Sequence, residues 1–270
     1  MRFLSLLAGA LLALPLHAAQ LTVELADGTH TWDTAQLLTH PLAQDIRIAN
    51  DVSYKHEMTY RVVPMSALLG GVSPQDHLQA VATDGFAAEL SAAPLLQNRG
   101  ARAWLAIEDP AQPWPALGVG KHSAGPFYLV WTDPQTGNIG PEQWPFAVSK
   151  VRLLTSVADR FPALTPDPTL AADDPVNQGF ALFQKHCLAC HRLNGAGDAQ
   201  VGPDLNMPHS PTEYFADDYL KLYIRNPQDL RQWPQARMPA IPPEVMADSE
   251  LDQVIGYLKH MAGRRAGNPQ

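Results

Sequence analysis

The chain has 270 residues, which is enough for one large domain or two of ordinary size. Apolar residues make up 46% of the sequence and charged residues 17%, so the chain can build a sizeable core. The formal net charge is −8, and the sequence has no basic cluster that would follow a phosphate backbone. This composition argues against nucleic acid as a partner.

The first 19 residues have the pattern of a secretory signal peptide. One arginine precedes an apolar run from Phe3 to Leu16, and small residues follow at Ala18 and Ala19. The run is shorter than the roughly 20 residues that a membrane-spanning helix needs. We therefore expect residues 1–19 to be removed, no membrane span in the mature chain, and export to the periplasm, where thiols can be oxidised.

Residues 20–160 predict a β-rich, α+β domain. Short apolar or alternating runs recur here, and turn signals such as Asp27-Gly28 separate them. Met65–Leu69 predicts a single helical turn within this domain. Positions 20–171 hold nine basic and fifteen acidic residues, which makes this the more acidic half. It is therefore the expected docking surface for a basic partner.

A proline-rich linker at residues 161–173 separates this domain from a helical one at residues 174–270. Asp174 can cap a helix that has Pro175 at its first position. A further helix near the C-terminus carries an apolar stripe, with Ser249 as its expected N-cap and Gly263 as its expected C-cap. Residues 217–226 predict a third, shorter helix.

The two cysteines of the chain, Cys187 and Cys190, lie three positions apart, and His191 follows directly. A disulfide between them would close a very short loop and constrain little. Redox dithiols of this spacing usually accompany a βαβ pattern, and a zinc site needs further ligands that no second cysteine pair or histidine cluster supplies. The C-x-x-C-H spacing favours a fourth interpretation, covalent haem attachment with the histidine as a ligand of iron.

These residues and their neighbours resemble a class I c-type cytochrome domain over residues 174–263. Gly179 and Phe183 lie at the offsets that the family shows before its first cysteine, and Tyr257 takes the aromatic position of its last helix. The sequence GPDL at 202–205 resembles the loop whose proline carbonyl accepts a hydrogen bond from the histidine ligand. The resemblance implies an all-α cytochrome c fold with one covalent haem c, in which Pro203 orients His191.

The second axial ligand falls at Met238, because ARMPA at 236–240 resembles the distal-ligand loop of this family. Met238 lies 47 residues beyond His191, directly before a proline. Met207, only 16 residues beyond His191, is expected in the loop that covers the proximal side. The remaining alternatives are interpreted as packing or surface residues: Met246, Met261, His186, His209 and His260. Six-coordinate iron leaves no open position for a substrate, which suits electron transfer.

Three residues are candidate partners for the haem propionates. Arg225 and Arg237 offer guanidinium groups, and Trp233 offers an indole N–H group. A solvated arginine or a core tryptophan is an equally good interpretation of each.

Several runs in residues 21–160 resemble the molybdopterin-binding fold of the sulfite oxidase superfamily. They include YRVVPMSALL, ATDGF at 82–86 and SAGPFYLVW. Catalytic members of that family hold molybdenum through a cysteine thiolate, and this half of the chain has no cysteine. The sequence therefore favours a scaffold without molybdopterin that docks a partner or positions the haem domain.

Taken together, the motifs predict an exported monohaem c-type cytochrome, an electron carrier rather than an enzyme. It would transfer single electrons between periplasmic redox proteins, with the N-terminal domain as docking module. Two alternatives stay open. A molybdopterin-dependent oxidoreductase passing electrons to its own haem would contain molybdenum, and a haem-based redox or gas sensor or adaptor would let carbon monoxide displace Met238 readily.

Overall fold

Residues 19–232 and 237–265 are described by a computed structural model of the chain. In these residues the short apolar runs of the first half form nine strands in two sheets. The strands are β1 Gln20–Leu25, β2 Gly28–Asp33, β3 Gln44–Ile48, β4 Met58–Pro64, β5 His77–Ala82, β6 Ala87–Ser91, β7 Arg102–Ile107, β8 Phe127–Thr132 and β9 Val148–Leu154. The predicted β-rich domain is confirmed.

The larger sheet has the strand order β2-β1-β9-β5-β6, and the smaller one has the order β3-β4-β7-β8. All neighbouring strands in them are antiparallel except β1 and β9, which are parallel. Three short helices join the strands: α1 Thr34–Leu38, α2 Met65–Leu68 and α3 Ala92–Leu96. Helix α2 is the helical turn that the sequence predicts. One hydrophobic core, built from both sheets, runs from Leu21 to Val151.

The second half is helical, as predicted. Its helices are α4 Val157–Arg160, α5 Pro175–His186, α6 Pro211–Tyr214, α7 Asp217–Arg225, α8 Pro227–Leu230 and α9 Asp248–Ala262. A separate core holds these helices together. That core includes Val157 and Leu164 and is contacted by Phe161, so part of the predicted linker packs against the helices. Within the described part of the chain, no helix combines the length and the apolar character that a bilayer crossing requires.

The ends of the two longest helices test the predicted caps. The Asp174 side chain accepts a hydrogen bond from the Val176 N–H at 2.8 Å and caps α5, as expected. The predicted N-cap at Ser249 is wrong, because α9 begins at Asp248 with Ala247 before it. The Glu250 carboxylate accepts a hydrogen bond from the Ala247 N–H at 2.7 Å, so an acidic side chain of the first turn satisfies this end. Gly263 is the C-cap.

Helices α5 and α9 cross at Gly179. A Cβ atom at this position would lie 2.0 Å from the Gln253 carbonyl oxygen, so only glycine lets the two backbones approach this closely. Beside the crossing, the rings of Phe180 and Phe183 lie 5.5 and 5.2 Å from the ring of Tyr257. The Tyr257 hydroxyl donates a hydrogen bond to the Leu164 carbonyl at 2.6 Å, which joins the segment predicted as a linker to α9.

The two halves meet where the edge strand β6 contacts α5. The Ala87 N–H donates to the Ala189 carbonyl at 3.0 Å, and the Gln200 N–H donates to the Gly85 carbonyl at 3.2 Å. These two backbone hydrogen bonds join the edge of the larger sheet to the helical half. They also cover the edge of β6, which would otherwise present unpaired backbone groups.

An ion-pair network reinforces this interface. Arg160 contacts the Glu89 and Asp198 carboxylates at 2.7 and 2.8 Å, and Arg152 contacts Asp198 at 3.1 Å. Burial would raise the pKa of Glu89, but hydrogen bonds from His77 and Arg160 outweigh it and hold this pKa below its usual value. Because Glu89 is only 3% exposed, breaking the network would leave a buried charge without a partner.

We predict that Gly179→Ala destabilises the chain by about 1–3 kcal/mol, because the added methyl group forces α5 and α9 apart. Gly256 is the matched control in α9, since a Cβ atom there meets nothing within 4 Å. Gly256→Ala should raise stability by up to about 1 kcal/mol through helix propensity. Guanidinium unfolding of both variants measures the difference, and equal stabilities would contradict the proposed crossing.

Candidate functional site

The C-x-x-C-H motif forms a compact turn directly after α5. The Cys187 N–H donates to the Phe183 carbonyl at 2.9 Å, which continues the helical hydrogen bonding by one residue. The N–H groups of Cys190 and His191 both donate to the Cys187 carbonyl, at 3.1 and 2.9 Å. The backbone therefore holds the two sulfur-bearing residues and the imidazole in one turn at the end of a helix whose position is set by α9.

Cys187 and Cys190 both carry free thiols. Burial raises the pKa of each thiol, and the negative charge of Glu142 raises it further. The pKa of Cys190 reaches about 11, so this thiol is protonated at neutral pH. Among the described residues, no three His, Cys, Asp or Glu side chains converge as metal ligands would. The two cysteines are thus thiols rather than a disulfide in this structure.

The imidazole of His191 is oriented by the loop at 202–205. Its Nδ1–H group donates a hydrogen bond to the Pro203 carbonyl at 2.8 Å. Because a carbonyl can only accept, the proton sits on Nδ1 and the lone pair of Nε2 is available to a metal. Burial lowers the pKa of His191, opposed by the bond to Pro203 and by the charge of Asp204. Burial therefore favours the neutral ring, which is the form that a metal ligand must have.

Gly202 is a site residue to which the sequence analysis gave no role. A Cβ atom on it would lie 2.5 Å from the Cε1 atom of His191, so the imidazole rests directly against the Gly202 backbone. The Gly202 N–H donates to the Cys190 carbonyl at 2.7 Å and holds the loop to the C-x-x-C-H turn. The only signal in the sequence was its place directly before the proline that orients the histidine.

Asp204 is a second residue without a predicted role, and it organises the same loop. Its carboxylate accepts backbone hydrogen bonds from Asn194, Gly195, Asn206 and Met207 at 2.6–3.1 Å. Four donors on one carboxylate fix the loop that carries the Pro203 carbonyl. Asp204 therefore acts on His191 through the loop as well as through its charge.

The methionines lie in different surroundings. Met238 is partly buried and packs against the core of the helical half. Met207 belongs to the proximal loop, where its sulfur would lie 3.9 Å from a Cβ atom on Gly195. Met246 and Met261 are each 1% exposed and are part of the core, as the sequence analysis expected.

The three alternative histidines all have other partners. His186 lies 3.1 Å from the Glu142 carboxylate of the N-terminal half. His209 is exposed and lies 3.8 Å from a neighbouring glutamate. The Nε2 atom of His260 accepts a hydrogen bond from the Asp167 N–H at 3.1 Å. These contacts leave Met238 as the better candidate for a second axial ligand.

The three propionate candidates also differ. The Arg225 guanidinium donates to two backbone carbonyls of the loop before α9, at 2.9 and 2.7 Å, and to Asp248 at 2.6 Å. Arg225 therefore holds the loop that contains Met238 in place. Arg237 is exposed and stays a candidate. Trp233 lies outside the described residues.

Comparison with known proteins identifies the helical half. Residues 176–262 match the family model for cytochrome c. The C-terminal part of this chain is a cytochrome c domain. This domain implies haem c as the cofactor and haem-based electron transfer as its chemistry, with redox proteins as partners. The predicted layout, a β-rich half followed by a cytochrome c domain, is confirmed.

Among solved structures, the chain is similar to the sulfane dehydrogenase SoxCD from Paracoccus pantotrophus, at 18% sequence identity and a TM-score of 0.37. The match covers 53% of this chain and 40% of the SoxCD chain, so the similarity spans less than half of that protein. A search of the curated proteins found no match.

The residues at the C-x-x-C-H turn of the cytochrome c domain fit haem c. Two free thiols stand next to a neutral imidazole whose Nε2 lone pair is available, and Gly202 gives that ring its space. The thiols and the imidazole with an available lone pair are what a histidine-ligated, thioether-linked haem requires.

We predict that Gly202→Ala weakens the site, because the added methyl group pushes the His191 ring away from the Pro203 carbonyl. The cost should be about 1–3 kcal/mol in the unfolding free energy of the haem-loaded protein. Gly70→Ala is the control, since a Cβ atom at Gly70 meets nothing within 4 Å. An equal effect of the two substitutions would contradict the close contact between ring and loop.

Proposed function

We propose that this protein is an exported monohaem c-type cytochrome that passes single electrons between periplasmic redox proteins. Cys187 and Cys190 hold the haem covalently, and His191 and Met238 are its axial ligands. The observation that carries the proposal is the 2.8 Å hydrogen bond from His191 Nδ1–H to the Pro203 carbonyl, made beside two free thiols. It leaves Nε2, the nitrogen that binds iron, with its lone pair.

When bound, haem supplies an iron that alternates between the ferric and ferrous states. The chain's own residues then do three things. The two cysteine sulfurs would fix the macrocycle to the end of α5, and Pro203 and Gly202 would hold the His191 ring in one orientation. The thioether of Met238 would favour ferrous iron more than a second imidazole would, and would thereby raise the reduction potential. Two protein ligands leave no open position for substrate, so the site suits electron transfer.

The N-terminal domain acts as docking and positioning module in this proposal. Its strand β6 and the ion pairs of Glu89 and Arg160 hold it against the haem-attachment turn. Its acidic surface would attract a basic redox partner and increase the rate of encounter at low salt. Arg237 and Trp233 stay candidates for the haem propionates.

The first test is covalent attachment. Expression with a haem-maturation system should give a red protein whose colour survives acid–acetone extraction, because thioether bonds resist that treatment. Cys187→Ser together with Cys190→Ser should give protein whose haem is extracted completely. If the unsubstituted chain stays colourless while a control c-type cytochrome matures in the same cells, the proposed function is wrong.

The second test concerns the axial methionine. Met238→Ala should open a coordination position, so that the ferrous protein binds carbon monoxide readily, whereas the unsubstituted protein resists it. Met207→Ala is the matched control, because Met207 lies in the proximal loop beside Gly195. Difference spectra with and without carbon monoxide measure the effect. Ready binding by Met207→Ala alone would assign the ligand to Met207 instead.

A further inference from the structure

An acidic side chain of the N-terminal domain contacts His186, the residue directly before the C-x-x-C-H turn. Glu142 lies in a short 3-10 helix, Pro141–Gln143, between β8 and β9. The Nδ1–H group of His186 donates to a Glu142 carboxylate oxygen at 3.1 Å. Both side chains are buried, with 1% of His186 and 12% of Glu142 exposed. Because His186 directly precedes Cys187, this contact brings a carboxylate from the other domain to the start of the C-x-x-C-H motif.

The neighbouring backbone keeps this carboxylate in place. A Cβ atom on Gly140 would lie 3.1 Å from the Glu142 carboxylate and 3.4 Å from the His186 ring, so the glycine permits the close approach of the two segments. The Lys185 ammonium donates to the Asn138 carbonyl at 3.0 Å and fixes the same loop from the other side. The loop that carries Glu142 is therefore held by contacts on both sides, and the carboxylate itself is held by His186.

The charge of Glu142 reaches both attachment positions. Among the neighbouring charges that act on Cys187 and on Cys190, that of Glu142 is the strongest. Burial lowers the pKa of Lys185, and the same carboxylate opposes that change. Asp84 also acts on Cys190, but more weakly than Glu142. Negative potential from the N-terminal domain thus extends over the turn to which the haem would be bonded.

We propose that Glu142 sets the reduction potential of the haem by holding a buried negative charge beside its attachment turn. Ferric haem carries one more positive charge than ferrous haem, so a nearby carboxylate stabilises the ferric state and lowers the potential. The charge lies in a poorly solvated interface, where it is screened less than a surface charge. Glu142 thus acts on the haem through the electrostatic field of its charge. The inference rests on the proposed function.

The test compares the midpoint potentials of the haem-loaded full chain and its variants by spectroelectrochemistry. Glu142→Gln removes the charge but keeps an oxygen that accepts from His186, and its potential should be more positive than that of the unsubstituted chain. Asp27→Asn is the charge-matched control. Asp27 is 63% exposed, in the turn between β1 and β2, at the sheet edge opposite β6. The midpoint potential of the Asp27→Asn variant should equal that of the unsubstituted chain.

A third variant separates the charge from the packing. Glu142→Ala removes both the charge and the packing of the side chain. If Glu142 has only a structural role, the midpoint potential should shift in Glu142→Ala and stay unchanged in Glu142→Gln. That result, or equal potentials for Glu142→Gln and Asp27→Asn, would overturn the proposal. The shift in Glu142→Gln should also persist at high ionic strength. A chain that binds no covalent haem would refute the proposed function instead, so the two failures are distinguishable.

Discussion

The close crossing of α5 and α9 at Gly179 is the constraint on which the C-x-x-C-H turn depends. Because no side chain separates the two backbones, α5 lies directly against the carbonyl of Gln253, and the rings of Phe183 and Tyr257 fill the space beside the contact. The C-x-x-C-H turn follows α5 with an unbroken backbone hydrogen bond from Cys187 to Phe183. The position of the turn is therefore set by a helix contact that contains none of the residues proposed to touch haem.

A second constraint holds the loop that orients His191. Asp204 gathers four backbone N–H groups on one carboxylate, and Gly202 donates a hydrogen bond back to the Cys190 carbonyl. The Pro203 carbonyl between them is thereby held in position to accept the hydrogen bond from the His191 imidazole. If His191 is the iron ligand, as proposed, such preorganisation would limit the reorganisation that accompanies electron transfer, because the ring already has a defined tautomer and orientation.

Local patterns were readable from the sequence, and long-range contacts were not. The cap at Asp174 and the C-x-x-C-H spacing involve neighbouring residues, so their chemistry is visible in a few letters. The N-cap of α9 was misplaced because Glu250, not Ser249, satisfies the helix end. Glu142 contacts His186 across 44 positions, which no local pattern encodes. Arg225 offered suitable donors for a propionate, and in the fold they also bond two carbonyls of the loop before α9 and the carboxylate of Asp248 at the start of α9.

The interface between the two halves makes the N-terminal domain part of the surroundings of the C-x-x-C-H turn rather than a tethered neighbour. Glu89 and Arg160 are mostly buried there, and Asp198, from the loop after C-x-x-C-H, joins them. Separating the domains would expose these partners to water but would also break the backbone bond between Ala87 and Ala189, inside the motif itself. A motion of one domain would thus disturb the attachment turn of the other. If a partner docks on the first domain, as proposed, that docking and the electrostatics of the second domain would therefore be physically linked.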